Sequence, residues 1–274
     1  MTTTLRPSGP LQQGAGGARS RPYEIRVNSR RVGALLIACD SPFGPAVGEI
    51  RDLAVDPPDR GRGRATVAAL AAEEVLRGWG CRRVTASVPT ASPAGLRMAA
   101  ALGYTESGRN MAKDLAAEPP VLSAGVLGRP MTPAEYEAWY AEAVAGYAAD
   151  WVGRGMPADA ARAKSEADHA RQLPRGLDTP GADLCVLEAA GVPVGHVWVA
   201  PSGPGAYVYD VAVAEPYRGR GYGRDLMLLA ERTALAGGHR VLALHVFAGN
   251  TPALRLYESL GYRTTNVYFA KDLL

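Results

Sequence analysis

The chain has 274 residues, of which 47% are hydrophobic and 21% are charged, with a formal net charge of +3. This length can bury one large core or two ordinary ones, and so small a net charge gives no sign of a nucleic-acid or membrane partner. The three cysteines, Cys39, Cys81 and Cys185, are widely spaced and have neither CxxC nor metal-ligand spacing. We therefore expect reduced thiols, no metal site and a cytoplasmic location.

The first 21 residues are polar and rich in Thr, Gly and Gln. They lack the apolar core of a secretory signal, and no later stretch approaches the roughly 20 apolar residues of a membrane span. We predict that residues 1–21 form a disordered leader.

An internal repeat organises the rest of the chain. Residues 52–115 align with residues 210–273 without a gap, and 23 of the 64 pairs are identical. Two copies at this spacing indicate a duplicated domain, because a solenoid needs at least three short repeats. The identical pairs concentrate in three blocks: RGRG at 60–63 and 218–221, LGY at 102–104 and 260–262, and AKDL at 112–115 and 270–273.

The segments ahead of the two copies differ. A pair of strands is predicted before each copy, at residues 23–39 and 184–200, but only the second half has a long helical region, Thr132 to Gln172, before that pair. Residues 116–126 are rich in Pro, Gly and Ala and are typical of a linker. We predict a truncated first domain at 22–115, a linker at 116–127 and a complete second domain at 128–274.

The elements within one copy follow from the second half. The segment AYVYDVAV, rich in β-branched and aromatic residues, is predicted to be a strand. It leads into the Gly-rich loop and then into a helix over residues 225–236. The buried strand RVLALHVF follows, and then a helix that Asn250 caps and Gly261 ends. The last stretch, YRTTNVYFAKDL, is predicted to form a hairpin of two strands.

The Gly-rich loop between a strand and a helix has the chemistry of an anion site. Several backbone N–H groups point at one spot, where the helix dipole is positive. Gly221 and Gly223 let a pyrophosphate approach the main chain, and Arg218 and Arg220 can add charge-assisted contacts. The spacing is neither that of a nucleotide P-loop nor GxGxxG. Taken alone, the loop fits equally well a simple chain turn or a basic patch that touches RNA.

The surroundings of the loop make the pattern specific. The string Arg218-x-x-Gly221-x-Gly223 follows the strand YDVAV and precedes FAGNTPALRLYESLGY. This combination resembles the GNAT superfamily of N-acetyltransferases, over residues 128–274 as a whole domain and over residues 22–115 as a partial one. The resemblance implies an α+β fold with a mixed, mostly antiparallel central sheet flanked by helices, in two GNAT-like domains in tandem.

The resemblance also implies a cosubstrate, acetyl-coenzyme A (acetyl-CoA), and no metal. Backbone N–H groups of the loop would hold the pyrophosphate, and the strand before it would pair with the pantetheine arm like an added strand. The residues implied in the second half are Val211, Ala212, Val213, Arg218, Gly219, Arg220, Gly221, Tyr222, Gly223 and Asn250. Their counterparts in the first half are Arg60, Gly61, Arg62, Gly63 and Ala65.

Three side chains are implied in the chemistry. Tyr257 stands at the family's usual general-acid position, where a phenol can protonate the departing thiolate of coenzyme A. His245 and Asp210 are the two candidates for the base that takes a proton from the acceptor amine, and His245 is equally consistent with simple packing on its strand. Asn250 is equally consistent with a helix cap alone. The first half has Ala99, Ser87 and Ser92 at the positions of Tyr257, His245 and Asn250, so the resemblance implies catalysis by the second half only.

The acceptor is expected to be an amine on a small molecule or a peptide. The helical region supplies Trp139, Tyr140, Tyr147, Asp150 and Trp151 to the acceptor side, although an aromatic stripe on a helix is also typical of a core. We expect neither nucleic acid nor membrane as a partner, and a homo-oligomer stays open. The alternative function is a non-catalytic acyl-CoA sensor that regulates a partner protein.

Overall fold

The computed structural model describes residues 2–39, 46–153 and 156–273. The chain divides into two compact units: unit 1 comprises Met1–Gly108 and Asn266–Leu274, and unit 2 comprises Arg109–Thr265. The units therefore do not coincide with the two sequence copies, because the closing segment of each copy is split between them.

Unit 1 is a sheet with two helices. Its order is β1-β3-β4-β5-β6, with β2 beside β3; β5 and β6 are parallel and the other pairs are antiparallel. Residues 266–272 complete the sheet by pairing antiparallel with β6. Its elements are β1 (Thr3–Pro7), β2 (Gln12–Gln13), β3 (Arg19–Val27), β4 (Arg30–Ala38), β5 (Val47–Val55), α1 (Arg64–Gly78), β6 (Arg83–Pro89), α2 (Pro93–Ala101) and the start of β7 (Thr105–Asp114).

The N-terminal segment corrects the predicted disordered leader. Residues 3–7 form β1, which pairs with β3 from Thr3 opposite Val27 to Pro7 opposite Tyr23. Leu5 packs against the core of unit 1. The open edge of β3 supplies hydrogen-bond partners for a polar segment, and the composition of that segment alone gives no sign of them.

Unit 2 is built in the same way, with two additional helices. Its sheet order is β12-β11-β10-β9-β8, with β11 and β12 parallel and the other pairs antiparallel, and residues 109–114 of β7 lie beside β12. Its elements are β8 (Val126–Pro130), α3 (Pro133–Gly153), α4 (Ala158–Gln172), β9 (Asp183–Ala189), β10 (Val192–Ser202), β11 (Gly205–Val213), α5 (Tyr222–Ala236), β12 (Val241–Phe247), α6 (Thr251–Ser259) and the start of β13 (Arg263–Asp272).

The predicted fold class is confirmed: each unit has a mixed, mostly antiparallel sheet flanked by helices. The predicted helical region is also confirmed, as α3 and α4, while residues 154–155 lie outside the described residues. The predicted closing hairpin is wrong, because residues 263–272 form one continuous strand. This stretch contains no Gly, Pro or Asn-Gly pair that would reverse the chain.

Two apolar layers position the site in unit 2. One face of the sheet packs on α5 and α6 through side chains such as Leu226, Met227 and Leu244. The other face packs on α3 through a second cluster that includes Trp139 and Trp198. The sheet is therefore covered on both faces, and β11 leads from between these layers into the exposed loop before α5.

Candidate active site

The loop that leads into α5 forms an open cradle. Gly219 and Gly221 have φ angles of 76° and 90°, in the left-handed region that favours glycine. A Cβ atom added at either position would meet no atom within 4 Å, so the loop is open on that side. Because α5 begins at Tyr222, its unpaired N–H groups and positive dipole end face the cradle, as an anion requires.

The arginines of the loop have different surroundings. Arg218 donates from Nε to the carbonyl of Val213 at 3.3 Å, which ties the loop to the end of β11. The guanidinium of Arg220 lies 5.6 Å from the centre of the Tyr217 ring. Both side chains are exposed, so their positive charge is available to an anion in the cradle.

The sheet of unit 2 opens next to the cradle. The ladder between β11 and β12 ends at the pair Val208 and Leu244, although β11 continues to Val213 and β12 to Phe247. Tyr209 is an extra residue on β11, because Trp198 pairs with Asp210 and Val199 pairs with Val208. Such a bulge bends its strand and re-aims the following side chains. Over the described residues, β11 beyond this bulge pairs with β10 alone, so the main-chain groups on its other edge are open to a ligand.

Asp210 stands immediately after the bulge and accepts two side-chain hydrogen bonds. Trp139 Nε1 donates to its Oδ2 at 2.8 Å, and His196 Nε2 lies 2.9 Å from the same oxygen. Burial raises the pKa of the Asp210 carboxyl, but the contacts from His196 and Trp139 outweigh it and hold the pKa below its usual value. A carboxylate stabilised in its charged form is a weak base, so these contacts favour a role for Asp210 in holding His196.

His245 is the first residue of β12 past the last ladder pair, so it faces the same opening. Its Nδ1 lies 2.8 Å from Oδ1 of Asn110, which is on β7. Its ring also meets Phe247 edge-on, with centroids 4.8 Å apart. The ring is therefore held between a polar partner and an aromatic neighbour.

Tyr257 lies on α6 and is 7% exposed. Burial, together with the nearby charge of Asp210, raises the pKa of its phenol to about 12. The hydroxyl therefore stays protonated at neutral pH and can donate a hydrogen bond.

Asn250 caps α6, because its side-chain oxygen accepts from the N–H of Ala253 at 3.2 Å. Ser92 caps α2 in the same way through Gly95. The helix-cap role of Asn250 is therefore present, and its contact with a cofactor stays a prediction.

A cavity of about 710 Å³ lies between α3, α4 and the strands of unit 2. Of the residues predicted for the acceptor side, Trp139, Tyr147 and Asp150 line it, whereas Trp151 is buried against Tyr147 and Tyr140 packs beside Trp139. Asp210 and His245 also line the cavity. The lining residues that sequence reasoning missed include His169, His196, Tyr207 and Tyr209.

His196 and Asn110 are the most consequential of the missed residues. His196 stands two positions before Trp198 on β10, so the two-residue period of a strand puts both on one face. That alternation was visible in the sequence. Asn110 had no comparable signal, because it belongs to the other sequence copy.

The cradle is present in unit 1 as well. Gly61 and Gly63 have φ angles of 72° and 70° and are equally open. Just before this loop, the buried Asp59 pairs with Arg64 and Arg30, and each of its carboxylate oxygens lies 2.7 Å from a nitrogen of the Arg30 guanidinium.

Among the described residues, no group of three or more His, Cys, Asp or Glu side chains could hold a metal ion. In the same part of the chain, no helix has both the length and the apolar content needed to cross a membrane.

Comparison with known proteins places the chain in a family. The sequence model of the Acetyltransferase (GNAT) family matches residues 11–104 and 143–262. An uncharacterised N-acetyltransferase of Bacillus subtilis, YycN, is 36% identical over 151 residues, which are 53% of this chain and 96% of the relative. A mycothiol acetyltransferase of Corynebacterium glutamicum is 43% identical over 70 residues, or 25% of this chain and 24% of the relative.

Two solved structures share the fold over most of the chain. A GCN5-related N-acetyltransferase from Sphaerobacter thermophilus superposes with a TM-score of 0.61 at 21% identity, covering 92% of this chain and 80% of that one. A tandem GNAT protein from the clavulanic acid biosynthesis pathway gives a TM-score of 0.54 at 21% identity, covering 96% and 85%. The chain belongs to the GNAT acetyltransferase family and carries two GNAT regions in tandem.

Proposed function

We propose that the second GNAT region, in unit 2, transfers an acetyl group from acetyl-CoA to an amine by direct attack in a ternary complex. One observation carries the proposal: Asp210 and His245 stand past the last ladder pair of β11 and β12, and both line the cavity beside α3 and α4. Because β11 lines this cavity and then leads into the cradle loop, a thioester held along β11 would meet an amine in the cavity.

The cosubstrate would occupy the cradle and the opened edge of β11. The open loop at Gly219 and Gly221, together with the start of α5, supports a pyrophosphate held by backbone N–H groups. The free edge of Val211–Val213 supports pairing with the amides of the pantetheine arm. An N–H on this edge would polarise the thioester carbonyl as charge develops on its oxygen.

The acetyl transfer would then need one base and one acid. The amine nitrogen attacks the carbonyl carbon, the new C–N bond forms and the C–S bond breaks. His245 would take the proton that the amine loses, and Tyr257 would donate its proton to the departing sulfur. The buried, protonated state of Tyr257 supports that role. Asp210 would keep His196 in place at the wall of the cavity, because its carboxylate already accepts from two donors.

The amine acceptor would enter the aromatic cavity from the side of α3 and α4. A volume of about 710 Å³ suits a small-molecule amine or the end of a peptide. Two relatives have names that point to different acetylation reactions: a mycothiol acetyltransferase and N-alpha-acetyltransferase 40 of Saccharomyces cerevisiae, each matched over less than a third of this chain. These short matches leave both small molecules and peptides as acceptors to test.

A second candidate function is a non-catalytic acyl-CoA sensor. The open cradle of unit 1 favours it, because that unit keeps Gly61 and Gly63 while Ala99 and Ser87 replace the acid and the base. A protein that only senses acyl-CoA would use such pockets without turnover.

Turnover and binding, measured on the same protein, separate the two functions. The full chain is incubated with acetyl-CoA and a panel of small amines, amino acids, aminoglycosides and peptides, while thiol release and acceptor mass are followed. The proposed enzyme releases thiol only with an accepted amine and adds one acetyl group to it. Binding of acetyl-CoA in calorimetry, without thiol release for any amine of the panel, would favour the sensor.

A further inference from the structure

The last strand of the first sequence copy contributes to unit 2. Residues 109–114 of β7 belong to this unit and lie beside β12, the strand that carries His245. Met111 is 1% exposed and belongs to the same apolar cluster as Leu244 and Tyr257. The segment is thus part of the core of unit 2, although it precedes the linker in the sequence.

A buried ion pair fixes this strand in place. Lys113 Nζ lies 2.7 Å from Oε1 of Glu231 and 5.6 Å from the centre of the Tyr262 ring. Glu231 is 4% exposed, so loss of its cation would leave a charge in the interior. The position of β7 along β12 is therefore constrained by more than apolar packing.

The same arrangement recurs in unit 1. There Lys271, from the closing strand of the second copy, lies 2.8 Å from Glu73 and 5.5 Å from the ring of Tyr104. In both units the glutamate and tyrosine come from one copy and the lysine from the other. This reciprocal pattern shows that the exchange of closing segments is a regular feature of the fold.

Asn110 stands three residues before Lys113 on the same exchanged strand. Its Oδ1 is an acceptor only, so a 2.8 Å contact with Nδ1 of His245 requires the histidine to donate from Nδ1. In a neutral imidazole the other nitrogen, Nε2, then carries the lone pair. A base that accepts a proton through Nε2 needs this tautomer.

We propose that Asn110 is a positioning residue for the acetyl transfer: the degenerate first copy supplies it to hold His245 in the tautomer whose Nε2 accepts the amine proton. The inference rests on the proposed function, in which His245 is the base. The equivalent place in unit 1 has Tyr268 opposite Ser87, with no imidazole to orient. The first copy therefore completes the site of the second copy instead of repeating it.

The test reads the tautomer directly, so it does not depend on turnover. The full chain has four histidines, which makes assignment of ¹⁵N-labelled imidazoles tractable with a His245→Gln variant. We expect His245 to be protonated at Nδ1 in the natural chain. We expect Asn110→Leu, similar in size but without an acceptor, to lose this signature and to lower kcat roughly tenfold with an unchanged KM for acetyl-CoA. Asn110→Asp keeps an acceptor and should keep both the signature and most of kcat.

The outcomes distinguish the two ideas. If His245 carries its proton on Nε2 in the natural chain, the positioning role of Asn110 is wrong whatever the turnover. If the tautomer changes in Asn110→Leu but both this variant and His245→Gln turn over normally, the assignment of His245 as the base fails, and the positioning role fails with it. As a matched control, Asn266→Ala removes an amide that donates to Ser87 in unit 1 and should change neither signature nor kcat.

Discussion

Units 1 and 2 share a scaffold but differ in many side chains and in the two additional helices of unit 2. In both, the ladder between the two parallel strands ends at equivalent pairs, Ile50 with Ala86 and Val208 with Leu244. Both have two glycines at positive φ in the loop that follows. The opening and the cradle are therefore properties of the duplicated fold, and they do not by themselves distinguish a catalytic unit from a non-catalytic one.

The differences that bear on the proposed reaction surround the opening. Unit 2 has Tyr257, His245 and the helices α3 and α4, which close one side of the cavity. Unit 1 has Ala99 and Ser87 instead, and the buried Asp59 stands just before its Gly-rich loop. Under the proposed function, the shared scaffold would bind the cosubstrate, while the side chains and the extra helices of unit 2 would decide the reaction.

The largest effect is expected from removal of the phenol. Tyr257→Phe should lower kcat by about 10² or more, because a positioned acid contributes on that scale, while acetyl-CoA still binds. Tyr268→Phe, which removes a phenol from the closing strand of unit 1, is the matched control. Thiol release measures turnover and calorimetry measures binding. Normal kcat in Tyr257→Phe would remove the main difference between the units.

The exchanged lysines should affect stability equally in both units. Lys113→Met and Lys271→Met each leave a buried carboxylate without its cation, so each should lower the free energy of unfolding by about 3 kcal/mol. Arg162→Met breaks the exposed pair with Glu166 and should cost less than about 0.5 kcal/mol. Urea unfolding measures all three. Similar losses for all three variants would mean that the exchanged ion pairs are not special.

Asp210 and Asp52 stand at equivalent positions of the two copies, and removal of their charges should affect activity differently. Asp210→Asn removes the charge that accepts from Trp139 and His196, so kcat/KM for the amine should fall about tenfold. Asp52→Asn is the counterpart in unit 1, where the residue is exposed with a φ of 51° that asparagine also tolerates. Steady-state kinetics should find this variant unchanged. Equal losses in both variants would contradict the division of roles.

The smallest effect is expected in the dependence of kcat on alkaline pH. Because burial raises the pKa of Tyr257 to about 12, the acid stays protonated when an ordinary tyrosine has ionised. The raised folded-state pKa favours the neutral phenol, so its contribution to stability is complete below about pH 10 and is lost as the pH rises towards 12. A kcat profile should therefore show no tyrosine ionisation below about pH 11. A basic limb near pH 10 that Tyr257→Phe removes would contradict this.

Much of the fold could be predicted from the sequence. The repeat, the loop and the periodicity of its flanking segments lie close together in the chain, so strand, loop, helix, strand and helix followed from local signals. The single closing strand did not follow from local signals. Its ten residues pair with strands of the other sequence copy, and local signals do not reveal that exchange. The N-terminal strand was missed for a related reason: its partner is the distant edge of β3.

The site shows the same limit. The cradle glycines and Tyr257 stand in local motifs and were predicted by their own surroundings. His196 and Asn110 reach the site through strand pairing, and Asn110 does so from the other sequence copy. A sequence motif identifies the residues that it contains. Residues that reach the site through strand pairing can be identified only when the register of the sheet is known.

One matched pair of variants tests the central claim that the cradle of unit 2 serves the reaction. Gly221→Ala and Gly63→Ala place the same methyl group at equivalent positive-φ positions, and each strains its loop by roughly 1–2 kcal/mol. Thiol release with an accepted amine should show KM for acetyl-CoA raised about tenfold in Gly221→Ala and unchanged in Gly63→Ala. Impaired turnover in Gly63→Ala, with normal turnover in Gly221→Ala, would contradict the account.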